Sequence, residues 1–343
     1  NSLSKRATMS DLKRIIVIGS NSFSGASFVS HCLRQGWEVL GTSRSSEAHE
    51  VFLPYRRPGT ADELSRFRFA QFDLNLHTQD LLEAISDFNA PYVVNFAAQS
   101  MVAESWEHPD HWYQTNVVAN VRLHDGLRKI SALKKYVHVS TPEVYGSCTG
   151  DVREDAPFHP STPYAASRAA CDLHLQTFIR QYNFPAVFTR AANVFGPGQQ
   201  LYRIVPRTLL FLALGQKLQL HGGGHSVRSF IHIDDVSDGT LRAALHGEPG
   251  DVFHLSTKRT ISIRDLVALM CDQTGVKFED FAEIVADRPG KDSAYLLDAS
   301  LARTKLGWQD RVSLEEGIAD TKRWVDENLA VLREQPANYI HKA

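Results

Sequence analysis

The chain has 343 residues, 43% of them hydrophobic and 22% charged, and a formal net charge of −2; that length exceeds one ordinary core and implies two lobes, or one large core with a smaller companion. The near-neutral charge gives no reason to expect nucleic acid or an acidic membrane as partner, since both favour a basic surface, and no apolar run nears the roughly 20 residues that span a bilayer. Four cysteines, Cys32, Cys148, Cys171 and Cys271, show neither metal-ligand nor disulfide spacing, as in a cytoplasmic protein with reduced thiols, and the polar stretch before Met9 lacks a signal-peptide core.

The first predicted element is a buried strand over Arg14–Ile18, a near-continuous β-rich run. Gly19-Ser20-Asn21-Ser22-Phe23-Ser24-Gly25 follows and opens a helix predicted over Gly25–Gln35, with Ala26, Phe28, Val29 and Leu33 as its apolar positions. Gly19 and Gly25 have the spacing of a tight strand-to-helix turn that delivers a pyrophosphate to a helix N-terminus, where free N–H groups and the helix dipole favour negative charge. Ser22 stands where the usual pattern has its middle glycine; it takes some room and adds a hydroxyl donor. The next strand, Glu38–Thr42, ends in Thr42-Ser43-Arg44-Ser45-Ser46 with no carboxylate before Glu47. An acidic residue there would bind a ribose diol and repel a 2′-phosphate. Ser43 and Arg44 suit the phosphate instead, which favours NADP, with NAD as the alternative. Asp73, after the strand Arg68–Phe72, either meets the adenine edge or caps the next segment; Leu74 beside it and Ala97, after the strand Tyr92–Phe96, are further candidates for the dinucleotide site.

Helices predicted over Asp80–Phe88 and Tyr113–Lys129 alternate with these strands. Such alternation requires crossover connections, and so a Rossmann-type doubly wound parallel sheet whose ligands sit beyond the carboxyl ends of the strands. The strand Tyr136–Ser140 leads into Ser140-Thr141-Pro142-Glu143-Val144-Tyr145-Gly146, and a helix over Tyr164–Tyr182 opens with Pro163-Tyr164-Ala165-Ala166-Ser167-Arg168. Tyr164 and Arg168, four apart, share a helix face. A cation beside a phenol favours the phenolate, so the expectation is a lowered tyrosine pKa and a base for a sugar hydroxyl. Thr141 at a strand's carboxyl end shares that proton by hydrogen bonding, and Glu143 adds a second acid–base group. The histidines show no metal spacing, and His138 reads as core-facing. Ala186–Arg190 and Phe253–Ser256 are strands able to return to the first sheet. The expected division is a dinucleotide-binding domain over 13–190, with return strands from about 225–256, and a smaller C-terminal substrate-binding lobe mainly over 191–330.

Together with Asn193-Val194-Phe195-Gly196-Pro197-Gly198, Val227 to Asp235, Arg288-Pro289-Gly290-Lys291-Asp292 and Leu297-Asp298-Ala299-Ser300 leading to Leu306-Gly307-Trp308, these motifs resemble the extended short-chain dehydrogenase/reductase family. Within it, Ser-Thr-x-Glu is similar to the nucleotide-sugar 4,6-dehydratases and decarboxylases more than to the 4-epimerases, which usually carry a small residue at the position of Glu143. The resemblance implies a lyase that oxidises carbon 4 of a nucleotide-hexose, eliminates water across carbons 5 and 6 and returns hydride to carbon 6. A 4-epimerase, a decarboxylase or a catalytically impaired relative are the alternatives. It also implies Ser100 at the sugar, Asn193, Arg228 and Arg288 at the diphosphate, Asn116 as a tie between helix and active-site strand, and a homodimer through the helices Tyr113–Lys129 and Tyr164–Tyr182. The chain departs from the pattern twice: Pro142 replaces the acid of the glucose dehydratases, and Arg168 replaces the family lysine, whose shape a guanidinium does not match.

Overall fold

The structure, a computed structural model, describes residues 13–342 other than 58, 149 and 287–295. Its centre is a sheet of seven strands: β1 (Arg14–Ile18), β2 (Glu38–Ser43), β3 (Phe67–Gln71), β4 (Tyr92–Asn95), β5 (Lys135–Val139), β6 (Ala186–Ala191) and β7 (Val252–Leu255). Every pairing is parallel, in the order β7-β6-β5-β4-β1-β2-β3. The period-2 rule of a strand explains why the run at β1 is apolar throughout: Ile15 and Val17 enter one core cluster, Ile16 and Ile18 the other. On the first face lie α1 (Phe23–Arg34) and, later in the chain, a helix over Ile233–His246; on the second lie Thr78–Phe88, the Pro109–Leu127 run and Pro163–Tyr182. We number these helices in chain order, α2 being Thr78–Phe88, α3 the run made of Pro109–Tyr113, Gln114–Ala119 and Asn120–Leu127, α4 Pro163–Tyr182, α5 Ile204–Leu214, α6 Ile233–His246, α7 Ile263–Thr274 and α8 Leu314–Glu327.

A second core gathers α5, α7 and α8 around Leu209, Leu266, Met270, Ile318 and Trp324. Its strands are short: Asn193–Phe195 pairs with Phe230–His232, Val227–Arg228 with Ile261–Ser262, and Leu218–His221 with Ala282–Val285. Of the segment over 225–256, only Val252–Leu255 pairs with the main sheet, against β6. Sheet order reverses between β1 and β4, where successive crossovers diverge to opposite sides. The carboxyl ends of those two strands therefore open a crevice.

Two local differences from the sequence reading have physical causes. Strand β5 ends at Val139, one residue before the expected Ser140, whose N–H still reaches the Thr189 carbonyl on β6 while its hydroxyl donates to the Asp172 carboxylate on α4. Helix α3 starts at Pro109 rather than Tyr113, the proline taking a first-turn position where no N–H is needed. Its middle, Gln114–Ala119, is a π-helix, a widened turn common at functional sites.

Candidate active site

The turn after β1 is set by close contact. Gly19 has φ +84°, and a Cβ there would lie 2.7 Å from the Ala97 nitrogen; a Cβ on Gly25 would lie 2.1 Å from the Gly19 carbonyl oxygen. Glycine is required at both places to bring the helix start against the strand ends. Ser22, expected to offer its hydroxyl outward, donates it to the Gly19 carbonyl at 2.7 Å and accepts from the Gly25 N–H at 3.0 Å, so it is the N-cap of α1. Phe23 and Ser24 form the first turn of that helix, Phe23 buried in the core. The Asn21 backbone donates to the Ser43 hydroxyl at 3.1 Å, and its side-chain amide to the carbonyls of Ser45 and Ser46. The turn and the loop after β2 are thereby one unit.

Gly19, Asn21, Ser22 and Ser43, with Arg44, Asp73, Leu74 and Ala97, line a cavity of about 400 Å³ at the sheet's carboxyl edge, whereas Phe23, Ser24 and Gly25 are not among its lining residues. Ala97 is held by its N–H to Asn95 Oδ1 (2.9 Å), and the Asn95 amide reaches Asn120 and the Tyr136 hydroxyl. Asp73 accepts from the Asn75 N–H at 2.7 Å, which fixes the loop after β3, and it lines the cavity as well. Arg44 directs its guanidinium to the Lys342 carbonyl at 3.2 Å. A strand-edge cavity closed on one side by a helix N-terminus, with buried Asn21 Oδ1 and Asn75 Oδ1 lacking a protein partner, fits a dinucleotide.

Beside it, β5 and α4 place the catalytic candidates. Thr141 caps the short helix Pro142–Tyr145, accepting from the Glu143 N–H at 3.3 Å. Pro142 occupies the first helical position, where its missing N–H costs nothing, and it is buried. Tyr164, buried at the start of α4, has the Thr141 hydroxyl beside it and lies in the field of Arg168, Glu143 and Arg203. The lowered tyrosine pKa expected from its sequence neighbours is not the outcome in this pocket: burial pushes Tyr164 above its ordinary value, although Arg168 and the Thr141 hydroxyl pull it down. Arg168, 2% exposed, donates to the Val139 carbonyl at the end of β5. Asn116, in the π-helical turn, accepts from the Gln99 N–H (2.8 Å) and donates to the Gln99 carbonyl and the Ser167 hydroxyl (3.0 Å each), tying α3 to the loop after β4 and to α4.

A network that sequence reading passed over lies beneath. Asp172, fully buried, accepts from Ser140 at 2.6 Å and from Arg190 on β6 at 2.8 Å; Arg190 also donates to the Tyr145 hydroxyl, which meets His254 Nε2 at 2.7 Å. Burial opposes the Arg190 charge, but Asp172 and Tyr145 outweigh it and hold its pKa above the ordinary value. The signal was present as a spacing: Tyr164, Arg168 and Asp172 fall four apart, on one face of α4. Nor did spacing reveal that His124, His138 and Cys171 meet, with ligand-type atoms within 4.8 Å of one another. Both imidazoles contact the Tyr136 hydroxyl, at 2.9 and 3.2 Å, and burial lowers both pKa values well below the ordinary value.

Across the crevice, Asn193 donates to the Ser229 carbonyl at 3.1 Å and Arg228 to the Val227 carbonyl at 2.9 Å, both half-buried, while Ser100 is exposed. Arg288 lies outside the described residues.

Fold and site together define a dinucleotide-dependent α/β enzyme with a tyrosine on the helix beside its cofactor cleft. The family model described as GDP-mannose 4,6 dehydratase matches residues 16–321. The chain is 34% identical to a dTDP-glucose 4,6-dehydratase of Streptomyces antibioticus over 94% of its own length and 96% of the relative's. Among solved structures, it superposes with a TM-score of 0.84 on a dTDP-glucose 4,6-dehydratase from Streptomyces venezuelae with NAD and TYD bound, at 30% identity and covering 92% of this chain and 98% of the other. With a UDP-glucose 4-epimerase of Thermotoga maritima, solved with UDP-glucose, the TM-score is 0.82 at 27% identity, covering 92% and 99%. The chain belongs to the extended short-chain dehydrogenase/reductase family, in its NAD-dependent epimerase/dehydratase branch. Among the described residues no helix is long and apolar enough to cross a membrane.

Proposed function

We propose that this protein is a nucleotide-sugar 4,6-dehydratase that converts a nucleotide-hexose to its 4-keto-6-deoxy form with a retained NAD. The observation that carries the reading is the placement of Tyr164, buried at the start of α4, with Thr141, Arg168 and the Glu143 carboxylate all near enough to act on the phenol's charge. NAD replaces the NADP favoured by Arg44: the solved dehydratase relatives contain NAD, and Arg44 here reaches a backbone carbonyl. Gly19, Ser22 and Gly25 would set its pyrophosphate at the α1 N-terminus, and Ser43, Asp73 and Leu74 would enclose the adenosine. Bound there, the dinucleotide supplies a hydride acceptor at carbon 4 that later serves as donor at carbon 6.

The chain's own residues handle protons. Tyr164 takes the proton of the carbon 4 hydroxyl as that carbon loses hydride, the positive charge of Arg168 and that which an oxidised nicotinamide would bring offsetting the burial that otherwise holds the phenol protonated. The ketone acidifies carbon 5; Glu143 removes that proton and passes it to the hydroxyl leaving carbon 6 as water. With Pro142 in place of an acid, a single carboxylate serves both ends of the elimination. Hydride entering at carbon 6 is balanced by a proton at carbon 5, equal to the one held since the first step at Tyr164, so the sum is loss of one water. Ser100, in the loop after β4, and Asn193, Arg228 and Arg288, on a capping lobe that runs from about 191 to 330, are the proposed substrate contacts.

Purified protein supplied in turn with dTDP-glucose, UDP-glucose and GDP-mannose is expected to yield a 4-keto product that absorbs in alkali; no such product from any nucleotide-hexose would overturn the reading. Retained oxygen at carbon 6 would assign epimerisation instead. A homodimer is proposed through α3 and α4, whose outer faces leave Tyr113, Val118, Leu173 and Tyr182 between 38% and 52% exposed. Leu173→Asp is expected to halve the sedimenting mass; a wild-type chain that sediments as a monomer would refute this assembly.

A further inference from the structure

After α8 and the short helix Leu329–Leu332, the chain turns back across the molecule without regular structure, and its residues Tyr339–Lys342 reach the cleft at the carboxyl edge of the sheet. Contacts of three kinds dock it. The Lys342 carbonyl accepts from Gln99 Nε2 at 2.8 Å and from Arg44 at 3.2 Å, so one acceptor joins the loops after β4 and β2. The His341 imidazole stacks on Trp112 and His111 with centroids 5.1 and 5.3 Å apart and planes 12° from parallel, and lies 5.7 Å from His108; its Nε2 meets His111 Nδ1 at 3.0 Å. The Tyr339 ring meets Tyr202 edge-on at 5.6 Å, and its hydroxyl lies 3.3 Å from His341 Nδ1. The segment is thus anchored on α3, on the β4 edge, on the loop after β2 and beside the start of α5.

Its position matters because Tyr339, Ile340 and Lys342 line the same cavity as Gly19, Asn21, Asp73 and Leu74. The segment walls that cavity and leaves about 400 Å³ of it open. Moreover, its two hydrogen-bond donors, Gln99 and Arg44, stand at the two strand ends between which a dinucleotide would stretch.

We propose that residues 336–342 form a strap that closes over the bound dinucleotide, holds it through turnover and must lift before it can exchange. This rests on the dehydratase reading of the cleft and deepens it: a cofactor that is reduced and reoxidised within each cycle has no need to leave, so a closure that slows release does not slow the reaction.

Three proteins test the proposal: the full chain, a chain ended after Gln335, and the full chain carrying Tyr339→Ala with His341→Ala. Each is loaded with NAD, and release is followed after dilution into excess competing dinucleotide. Both altered proteins are expected to release NAD about tenfold faster or more, with urea unfolding in the absence of NAD unchanged. Equal release rates in all three would overturn the strap. So would slower release or tighter binding in the altered proteins, which would show the segment competing with the dinucleotide. Failure of the full chain to bind NAD at all would overturn the reading of the cleft, and the strap with it.

Discussion

The two walls of the crevice are built differently. On the sheet side, the residues flanking Thr141 and Tyr164 are held by fully buried groups: Asn116 bridging Gln99 and Ser167, whose hydroxyl reaches the Tyr164 carbonyl, and Asp172 bridging Ser140 and Arg190. On the capping side, Asn193 and Arg228 sit half-buried on ladders of two or three residues, Asn193 bonded to the Ser229 carbonyl and Arg228 to that of Val227. A buried, satisfied polar network is costly to distort, whereas a half-exposed side chain on a short ladder adjusts at little cost. Under the proposed function, this difference implies a division of labour, with reaction geometry set in the rigid wall and the choice of nucleotide and sugar left to the adaptable one.

The sharpest way to break that comparison is at the phenol. Tyr164→Phe removes the proposed proton acceptor while keeping the ring, and is expected to lower kcat about a thousandfold, within the range typical of general acid–base groups, with the unfolding midpoint little changed. Retention of most activity would move the chemistry elsewhere. Next comes the network beneath. Asp172→Ala strands the Arg190 charge, 1% exposed, and is expected to cost about 3–5 kcal/mol in urea unfolding; the double change Asp172→Leu with Arg190→Met is expected to cost less than either single one. If Asp172→Ala unfolds like wild type, the sheet wall is not rigid for the reason given. On the opposite wall, Arg228→Ala is expected to raise KM for the nucleotide-sugar about tenfold with kcat nearly constant, the mark of uniform binding. A fall in kcat of the same size would place Arg228 with the reaction geometry.

What was legible in the sequence follows the same division. Strand β1 and the turn after it are local: four apolar residues in a row and two glycines at fixed spacing need no distant partner to be read. Tyr164 with Arg168 is likewise a four-residue fact. Asp172 lay on the same face but could not be valued, because its partner Arg190 is on β6, and only the crossover pairing of β5 with β6 brings them together. The direction of the Tyr164 shift was misjudged for a related reason: a neighbouring cation is visible in sequence, but burial is a property of the whole fold, and burial is the larger effect. The segment at Tyr339–Lys342 has no period at all, and its contacts, Arg44, Gln99 and Trp112, lie more than two hundred residues earlier.

The smallest expected effect discriminates between two readings of one atom. From sequence, the Ser22 hydroxyl was a donor toward phosphate; in the structure it is an N-cap, bonded to Gly19 and Gly25 within its own turn. The two roles respond oppositely to a pair of substitutions. As a cap, Ser22→Ala is expected to cost about 1 kcal/mol of stability and Ser22→Gly only a few tenths, because glycine lets water reach the free N–H groups. In neither variant should NAD affinity change beyond that, and Ser22→Gly restores the glycine of the family pattern. Were the hydroxyl a phosphate ligand, both variants would lose affinity alike while their unfolding midpoints stayed together. Isothermal titration with NAD beside urea unfolding of the two variants therefore decides whether the rigid wall binds the pyrophosphate through side chains or through backbone N–H groups alone.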